Sequence, residues 1–159
     1  MEQKKWYVVY TKPQFEKKVH EQLGKWYGIE SWCPLIKTRR KWSDRVKTIE
    51  TPLFKSYVFL RANEKERVQA LALDGVLQYV RYSGGPAVMR DKDIEELKNF
   101  LEEHKEVKVE TLEPGQSVVI RSGVFEGQEG VVKAVLEDKV VLDMPQLRCR
   151  LEAPIESLQ

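Results

Sequence analysis

Hydrophobic and polar positions in the first hundred residues follow the patterns of strands and helices in turn. Phe15, Val19 and Leu23 recur every four residues, as on one face of a helix, and Gly28 is a natural end for that helix. Aromatic and β-branched runs predict strands. The predicted strands are 5–11, 56–61 and 76–82, a hairpin is expected at 32–51, and the other helices are 64–73 and one that Asp91 caps. The mixture predicts an α+β fold with helices beside an antiparallel sheet.

The pattern changes after a charged stretch at 106–113, which has no helical face and predicts a linker. Residues 114–159 hold short β-branched runs separated by four glycines and three prolines. Short strands at close spacing predict a small antiparallel β-barrel. The sequence therefore predicts two domains, 1–105 and 114–159.

The charge is unevenly distributed along the chain. Residues 1–67 carry 16 Lys/Arg against 8 Asp/Glu, whereas residues 68–159 carry 11 against 17. A basic half beside an acidic remainder indicates one face for a polyanion, although a solvated basic surface explains the charge equally well. No apolar run approaches the length of a membrane span, and we expect a cytoplasmic protein without membrane contact.

Candidate catalytic or metal-binding residues are few. His20 and His104 each stand on a predicted helix without a nucleophile motif, so surface positions explain them better than general-base roles. Cys33 and Cys149 are far apart and lack a CxxC or histidine partner, which argues against a disulfide framework or a zinc site. The acidic group Asp91, Asp93, Glu95 and Glu96 is what helix capping produces. We expect no enzyme, cofactor or metal.

The strand at 56–61 is apolar on both faces. Val58 and Leu60 point to one side, whereas Tyr57 and Phe59 point to the other, because side chains alternate along a strand. Such a strand needs a covering on both faces. The core of its own domain covers one face, and another part of the chain or a partner covers the other. An intramolecular lid and a partner protein both satisfy this requirement.

Several segments together resemble one family. The segments WYVVYTKPQFEKKVHEQL (6–23), FKSYVFLR (54–61) and VRYSGGPAVMRDKDIEELKNFL (80–101) resemble the amino-terminal (NGN) domain of NusG-type transcription elongation factors. PGQSVVIRSGVFEGQEGVVKAV (114–135) is similar to the KOW motif of the SH3-like barrel that follows in that family. The basic hairpin resembles specialised paralogues of the RfaH or capsule-operon antiterminator type. Two positions depart from the pattern: Lys55-Ser56 replaces the usual Pro-Gly or Pro-Asn, and Gln116 replaces an acidic residue.

The resemblance implies binding to RNA polymerase across the DNA cleft, with suppression of pausing or termination on particular operons. An aromatic patch would hold the clamp helices of polymerase; its residues by matching are Tyr10, Phe54, Tyr57 and Phe59. Val68 and Gln69 would approach the opposite jaw. The assignment of Tyr57 and Phe59 to the patch agrees with the alternation along the strand, which independently places them on the face opposite Val58 and Leu60.

The resemblance also implies nucleic-acid and partner contacts. Lys12 and Lys18 match positions that touch non-template DNA, and the hairpin residues Arg39, Arg40 and Lys41 would add phosphate contacts unless the hairpin is merely solvated. In the KOW domain, Arg121, Val124 and Phe125 match a loop that binds ribosomal protein NusE or Rho, with Phe125 as a barrel plug the alternative.

Two further expectations complete the interpretation. The glycines and β-branched residues of 114–159 favour a β-barrel in the intact, monomeric protein over a helical hairpin. An RNA-binding ribosomal or ribosome-assembly protein with a KOW domain stays open as the alternative function.

Overall fold

Residues 1–80 and 81–159 form two units, each described here by itself. The computed structural model describes residues 3–42, 45–82, 84–111, 131–135 and 138–155. Among these residues, no helix is both long and apolar enough to cross a membrane.

The first unit is built on an antiparallel sheet. Its elements are β1 (Lys5–Thr11), α1 (Glu16–Tyr27), β2 (Glu30–Trp32), β3 (Leu35–Trp42), β4 (Arg45–Pro52), β5 (Tyr57–Ala62), α2 (Glu64–Ala70) and β6 (Val76–Tyr79). The strands lie in the order β2-β5-β1-β6. The α+β architecture predicted from the sequence is confirmed.

One face of this sheet packs against α1 and α2. The β1–β5 register pairs Val9 with Val58 and Tyr7 with Leu60, and these side chains are buried in one core with Val19 of α1. α1 ends at Gly28, which takes the left-handed conformation (φ 63°) as a helix-terminating glycine does. The four-residue apolar spacing read from the sequence is thus the core-facing side of α1.

Strands β3 and β4 form the predicted basic hairpin as a separate two-stranded ribbon. Its register is continuous over eight pairs, from Leu35 opposite Pro52 to Trp42 opposite Arg45. At its base, the Lys17 Nζ of α1 donates to the backbone carbonyl of Glu50 at 2.9 Å. This bond ties the hairpin to the helix that carries Lys18, one of the candidate DNA-binding lysines.

The second unit contains a helix and a second antiparallel sheet. Its elements are β7 (Arg81–Tyr82), β8 (Gly85–Pro86), β9 (Val88–Met89), α3 (Asp91–Glu103), β10 (Lys108–Thr111), β11 (Val132–Val135), β12 (Lys139–Met144), a 3₁₀ turn (Pro145–Leu147) and β13 (Cys149–Pro154). Four of the strands form a sheet in the order β10-β13-β12-β11.

Two local expectations in this unit need correction. Asp93 rather than Asp91 caps α3: its Oδ2 accepts the Arg90 backbone N–H at 3.1 Å, because a carboxylate three residues into a helix can reach back to the first free donor. Lys108–Thr111, inside the predicted linker, forms strand β10 because β13 offers it an antiparallel partner. The domain boundaries and the closure of the sheet into a barrel stay predictions, since residues 112–130 lie outside the described ranges.

Candidate functional site

The four aromatic residues expected to form a binding patch lie together at one end of the first sheet. The register of β1 and β5 sets Tyr10 opposite Tyr57, and their rings meet edge-to-face with centroids 5.0 Å apart. Phe54 stacks on Tyr57 at 6.4 Å and meets Phe59 edge-on at 5.5 Å. Trp32 on β2 joins them, with its ring 5.3 Å from Phe59. We call these five residues the aromatic cluster.

Burial divides the aromatic cluster into two layers. Phe59 and Phe54 are 0% and 3% exposed, whereas Tyr10 and Tyr57 are half-buried. The hydroxyl of Tyr57 donates to that of Tyr10 at 3.5 Å, a long bond. Tyrosine combines a large apolar ring with a polar hydroxyl, which suits a surface that faces water in the free protein and a partner in a complex. The two tyrosines, together with Trp32, which is also half-buried, are therefore the accessible part of the cluster, and the phenylalanines support them.

Trp32 is a site residue that sequence reasoning missed. The sequence places it at the start of a strand-like run, but one aromatic residue at a strand end does not reveal its neighbour. The structure pairs Trp32 with Phe59 across β2 and β5. The only available signal was composition, because the pairing partner is 27 residues further along the chain.

The turn before the aromatic strand β5 contains a residue in a strained backbone conformation. Ser56 adopts φ 65°, a left-handed conformation that suits glycine or asparagine and costs free energy in most other residues. Its backbone N–H donates to Oε2 of buried Glu16 at 2.8 Å, and its carbonyl accepts the Thr11 N–H at 2.8 Å. This geometry suits the glycine or asparagine that the family resemblance implies at the position of Ser56.

Two of the candidate DNA-binding lysines flank one aromatic ring. The Nζ atoms of Lys12 and Lys18 lie 5.6 Å and 5.3 Å from the centroid of Phe15. Lys12 also contacts the carboxylate of Asp74 at 3.2 Å. A Cβ atom on Gly75 would lie 2.8 Å from Cδ2 of Phe15, so this glycine leaves room for the ring. The structure thus brings Lys12 and Lys18 together around Phe15.

Helix α2 presents Val68 to solvent on a rigid base. Asn63 and Glu66 form a reciprocal capping box at its start. The guanidinium of Arg67 lies 5.8 Å and 5.6 Å from the rings of Tyr7 and Tyr79, and burial raises the pKa of Tyr79. Val68 is 59% exposed and Gln69 half-buried. Val68 is therefore available to a partner.

The hairpin register shows where its cationic residues stand along the ribbon. Arg39 is opposite Thr48, Arg40 opposite Lys47, and Lys41 opposite Val46. Lys47 and Arg45 on β4 are basic positions that sequence reasoning left out.

The candidate partner-binding loop of the second domain cannot be placed in the same way. Arg121, Val124 and Phe125 lie outside the described residues.

Comparisons with known proteins find a family model, sequence relatives and a solved structure that are similar to this chain. Residues 4–98 match the family model described as "Transcription termination factor nusG". The chain is 26% identical over 149 residues to the transcription termination/antitermination protein NusG of Rickettsia felis, covering 86% of this chain and 77% of that protein. NusG of Rickettsia conorii gives the same identity and coverage. A solved structure, "Domain interaction in Thermotoga maritima NusG", is 26% identical and covers 96% of this chain and 92% of that chain, with a TM-score of 0.43.

Proposed function

The chain belongs to the NusG family of transcription termination and antitermination factors, and from this premise we propose that it binds RNA polymerase during elongation and suppresses pausing or termination on particular operons. The single observation that carries the proposal is the aromatic cluster, in which Tyr10 and Tyr57 stand half-buried at the surface above buried Phe54 and Phe59. The proposal includes no catalytic step, cofactor or metal, and the protein acts as a monomer where polymerase works, in the cytoplasm.

The two tyrosines make the contact with the clamp helices of polymerase. Interface hot spots are commonly aromatic, and truncating one costs on the order of 2 kcal/mol. Tyr10 and Tyr57 need little rearrangement on binding, because Phe54 and the cross-strand register hold their rings in place. A preorganised ring loses less entropy on association than a mobile one. Of the four residues that the resemblance assigns, two therefore touch polymerase and two support them.

Further contacts surround this central one. Val68 and Gln69 on α2 face the opposite jaw of polymerase, supported by the exposure of Val68. Lys12 and Lys18 contact phosphates of the non-template strand, and the hairpin at Arg39, Arg40 and Lys41 adds to them, supported by the number of basic positions along its two strands. Binding of NusE or Rho by Arg121, Val124 and Phe125 is a prediction from the resemblance.

The test is association of the full-length protein with purified core polymerase. We expect Tyr57→Ala combined with Tyr10→Ala to weaken binding at least 30-fold, the ratio that corresponds to about 2 kcal/mol. The double variant should stay folded in urea unfolding, with a loss of about 1 kcal/mol of stability for each ring, because both rings are half-exposed. Tyr27→Ala, which truncates another half-buried tyrosine outside the cluster, is the matched control.

Two results contradict the proposal. One is native affinity of the double variant for polymerase. The other is capture of ribosomal RNA instead of polymerase subunits by the wild-type protein from lysate, which would support the ribosomal alternative.

A further inference from the structure

The basic hairpin, formed by β3 and β4, is a two-stranded ribbon of its own. Among the described residues, each of its strands pairs only with the other. Its eight residue pairs give a ribbon about 27 Å long, since each residue of an antiparallel strand adds about 3.4 Å. A lone two-stranded ribbon is only marginally stable in water. A partner that covers the hairpin would therefore stabilise it.

The hairpin carries a concentrated positive charge. Residues 37–47 hold six Lys or Arg against one Asp, a balance of +5. Four of its cationic side chains are exposed and form no ion pair with any residue that the structure describes: Lys37, Lys41, Arg45 and Lys47. Glu50 stands at the base of the ribbon, opposite Lys37. The positive charge nearer the tip is thus left for an anion.

Val46 distinguishes this ribbon from a purely electrostatic surface. It is 61% exposed and stands between the exposed basic residues Arg45 and Lys47. Thr48 is exposed as well and lies on the same face as Val46, because side chains alternate along a strand. Phosphate binding requires no apolar side chain. The methyl groups of Val46 and Thr48 instead match the C5-methyl group of thymine, which apolar side chains contact in the major groove of DNA.

The two faces of β4 divide these residues. Val46 and Thr48 lie on one face, whereas Arg45 and Lys47 lie on the other. The major groove of B-DNA is about 12 Å wide and about 8.5 Å deep, and it admits a two-stranded ribbon. The minor groove of B-DNA and the major groove of an A-form RNA duplex are both too narrow. A ribbon in the major groove that turns Val46 toward the base edges holds Arg45 and Lys47 near the rims, where the phosphates lie.

We propose that the basic hairpin enters the major groove of a DNA duplex, where Val46 and Thr48 contact thymine methyl groups and Arg45 and Lys47 contact the phosphates of the rims. This assignment rests on the proposed nucleic-acid contact of the hairpin and deepens it in two ways. The ligand of the hairpin is double-stranded DNA, and the hairpin reads base edges as well as phosphates. Phosphate contacts set the register of a protein on DNA, whereas base contacts give it a sequence preference. The hairpin therefore favours sites that present thymine in the major groove.

The experiment compares two DNA duplexes of alternating A·T sequence, about two helical turns long, of which one contains deoxyuridine in place of thymidine. The two probes differ only in the C5-methyl group. Binding of the full-length protein is measured by fluorescence anisotropy. We expect the wild type to bind the thymine duplex roughly 4-fold more tightly, the ratio that one buried methyl group supplies. Val46→Ala and Thr48→Ser should each lower this ratio, and the double variant should bring it close to equality.

The phosphate contacts give a second, independent readout. Arg45→Ala combined with Lys47→Ala should reduce the slope of log affinity against log salt by about 1.8, twice the value for one lost phosphate contact, and equally for both duplexes. Val46→Ala and Thr48→Ser should keep the wild-type slope, which also shows that their hairpin still docks. Lys65→Ala is the matched control, because Lys65 is an exposed lysine on α2, and it should change neither the slope nor the ratio.

Several results overturn the inference while leaving the proposed function in place. One is equal affinity of the wild type for the two duplexes, or no binding of either. Another is a thymine preference that survives in the double variant of Val46 and Thr48. A third is a loss of affinity in the double variant of Arg45 and Lys47 that is as large for an RNA duplex or single-stranded oligothymidine as for the thymine duplex. Association with core polymerase in the absence of DNA, measured in parallel, should be the same for all hairpin variants and the wild type. Absence of that association in the wild type would instead contradict the proposed function.

Discussion

The central strand pairs of the two sheets differ in one respect, because the pair in the second sheet contains a buried ion pair. In the first unit, β1 and β5 face each other through apolar and aromatic pairs, such as Val8 with Phe59 and Tyr10 with Tyr57. In the second unit, the register of β12 and β13 sets Asp143 opposite Arg150, and Nε of Arg150 donates to Oδ1 of Asp143 at 2.6 Å. Both residues of this ion pair are buried.

This difference shows how each sheet tolerates change. An apolar pair loses contact area when one side chain is truncated, but it leaves no charge behind. A buried ion pair adds little stability compared with an apolar pair of equal size. Removing one partner, however, leaves the other charge buried and unpaired in a medium of low dielectric constant. The first sheet can therefore expose some of its aromatic rings, whereas the stability of the second depends on both members of the Asp143–Arg150 pair.

The largest expected effect tests the ion pair. Asp143→Ala leaves Arg150 buried without its partner and should lower the free energy of unfolding by about 3–5 kcal/mol. Urea unfolding followed by circular dichroism measures this loss. Glu152→Ala is the control on the same strand pair, because its partner Lys139 (3.1 Å) is partly exposed, and it should cost less than about 1 kcal/mol. Equal effects of the two variants would remove the contrast between the sheets.

A somewhat smaller effect separates the two layers of the aromatic cluster. Phe59→Ala opens a cavity in a fully buried position and should cost about 3 kcal/mol of stability. Tyr57→Ala should lower the free energy of unfolding by only about 1 kcal/mol, because the ring is half-exposed. It should nevertheless weaken polymerase binding more than Phe59→Ala does. Paired measurements of unfolding and binding decide this. If Tyr57→Ala destabilises the protein as much as Phe59→Ala, the division into contact and support is wrong.

The strained turn before β5 predicts a gain in stability. Ser56→Gly keeps the backbone N–H that donates to Glu16 and relieves the left-handed conformation, and should raise stability by about 0.5–1 kcal/mol. Ser56→Ala retains a Cβ atom and should be near neutral. The midpoint of thermal unfolding of the two variants gives the comparison, and a destabilised glycine variant would show that the serine is not strained.

The smallest effect compares one cysteine from each unit. Burial raises the pKa of half-buried Cys33 to about 11 and that of buried Cys149 to about 12. Both thiols should therefore resist alkylation at pH 8, and Cys33 should react first as the pH approaches 11. An unfolded thiol ionises near pH 9.0, so the stability linked to Cys33 is complete below that pH and declines as the pH rises through 11. Mass spectrometry of iodoacetamide-treated protein reads the order, and earlier labelling of Cys149 would contradict it.

Local patterns predicted most of the first unit. The aromatic run at β1 and the apolar spacing of α1 are short-range signals. The structure contains the predicted strand at Lys5–Thr11 and the predicted helix, which ends at Gly28. The alternation along β5 also separated Tyr57 and Phe59 from Val58 and Leu60. Such predictions succeed because the period of a strand or helix is set by neighbouring residues.

Long-range pairing decided the remainder of the fold and of the candidate site. The run that contains β10 is polar enough to read as a linker, and it becomes a strand only because β13 lies beside it. Alternation placed Phe59 with Tyr57, but not Trp32 against Phe59, nor Lys18 and Lys12 around Phe15. These contacts depend on residues far apart in sequence.

The sequence by itself determined most elements of the first unit, the α+β class and the family, since each is recorded in local period or in ordered motifs. Only the tertiary structure decided which aromatic rings are covered and which are open, and that Asp143 and Arg150 form a buried pair. The physical reason is that burial is a property of a place rather than of a residue type. Phe59 and Tyr57 lie two residues apart on one face of one strand, and only the packing of Trp32, Phe54 and Tyr10 around them makes one a support and the other a surface.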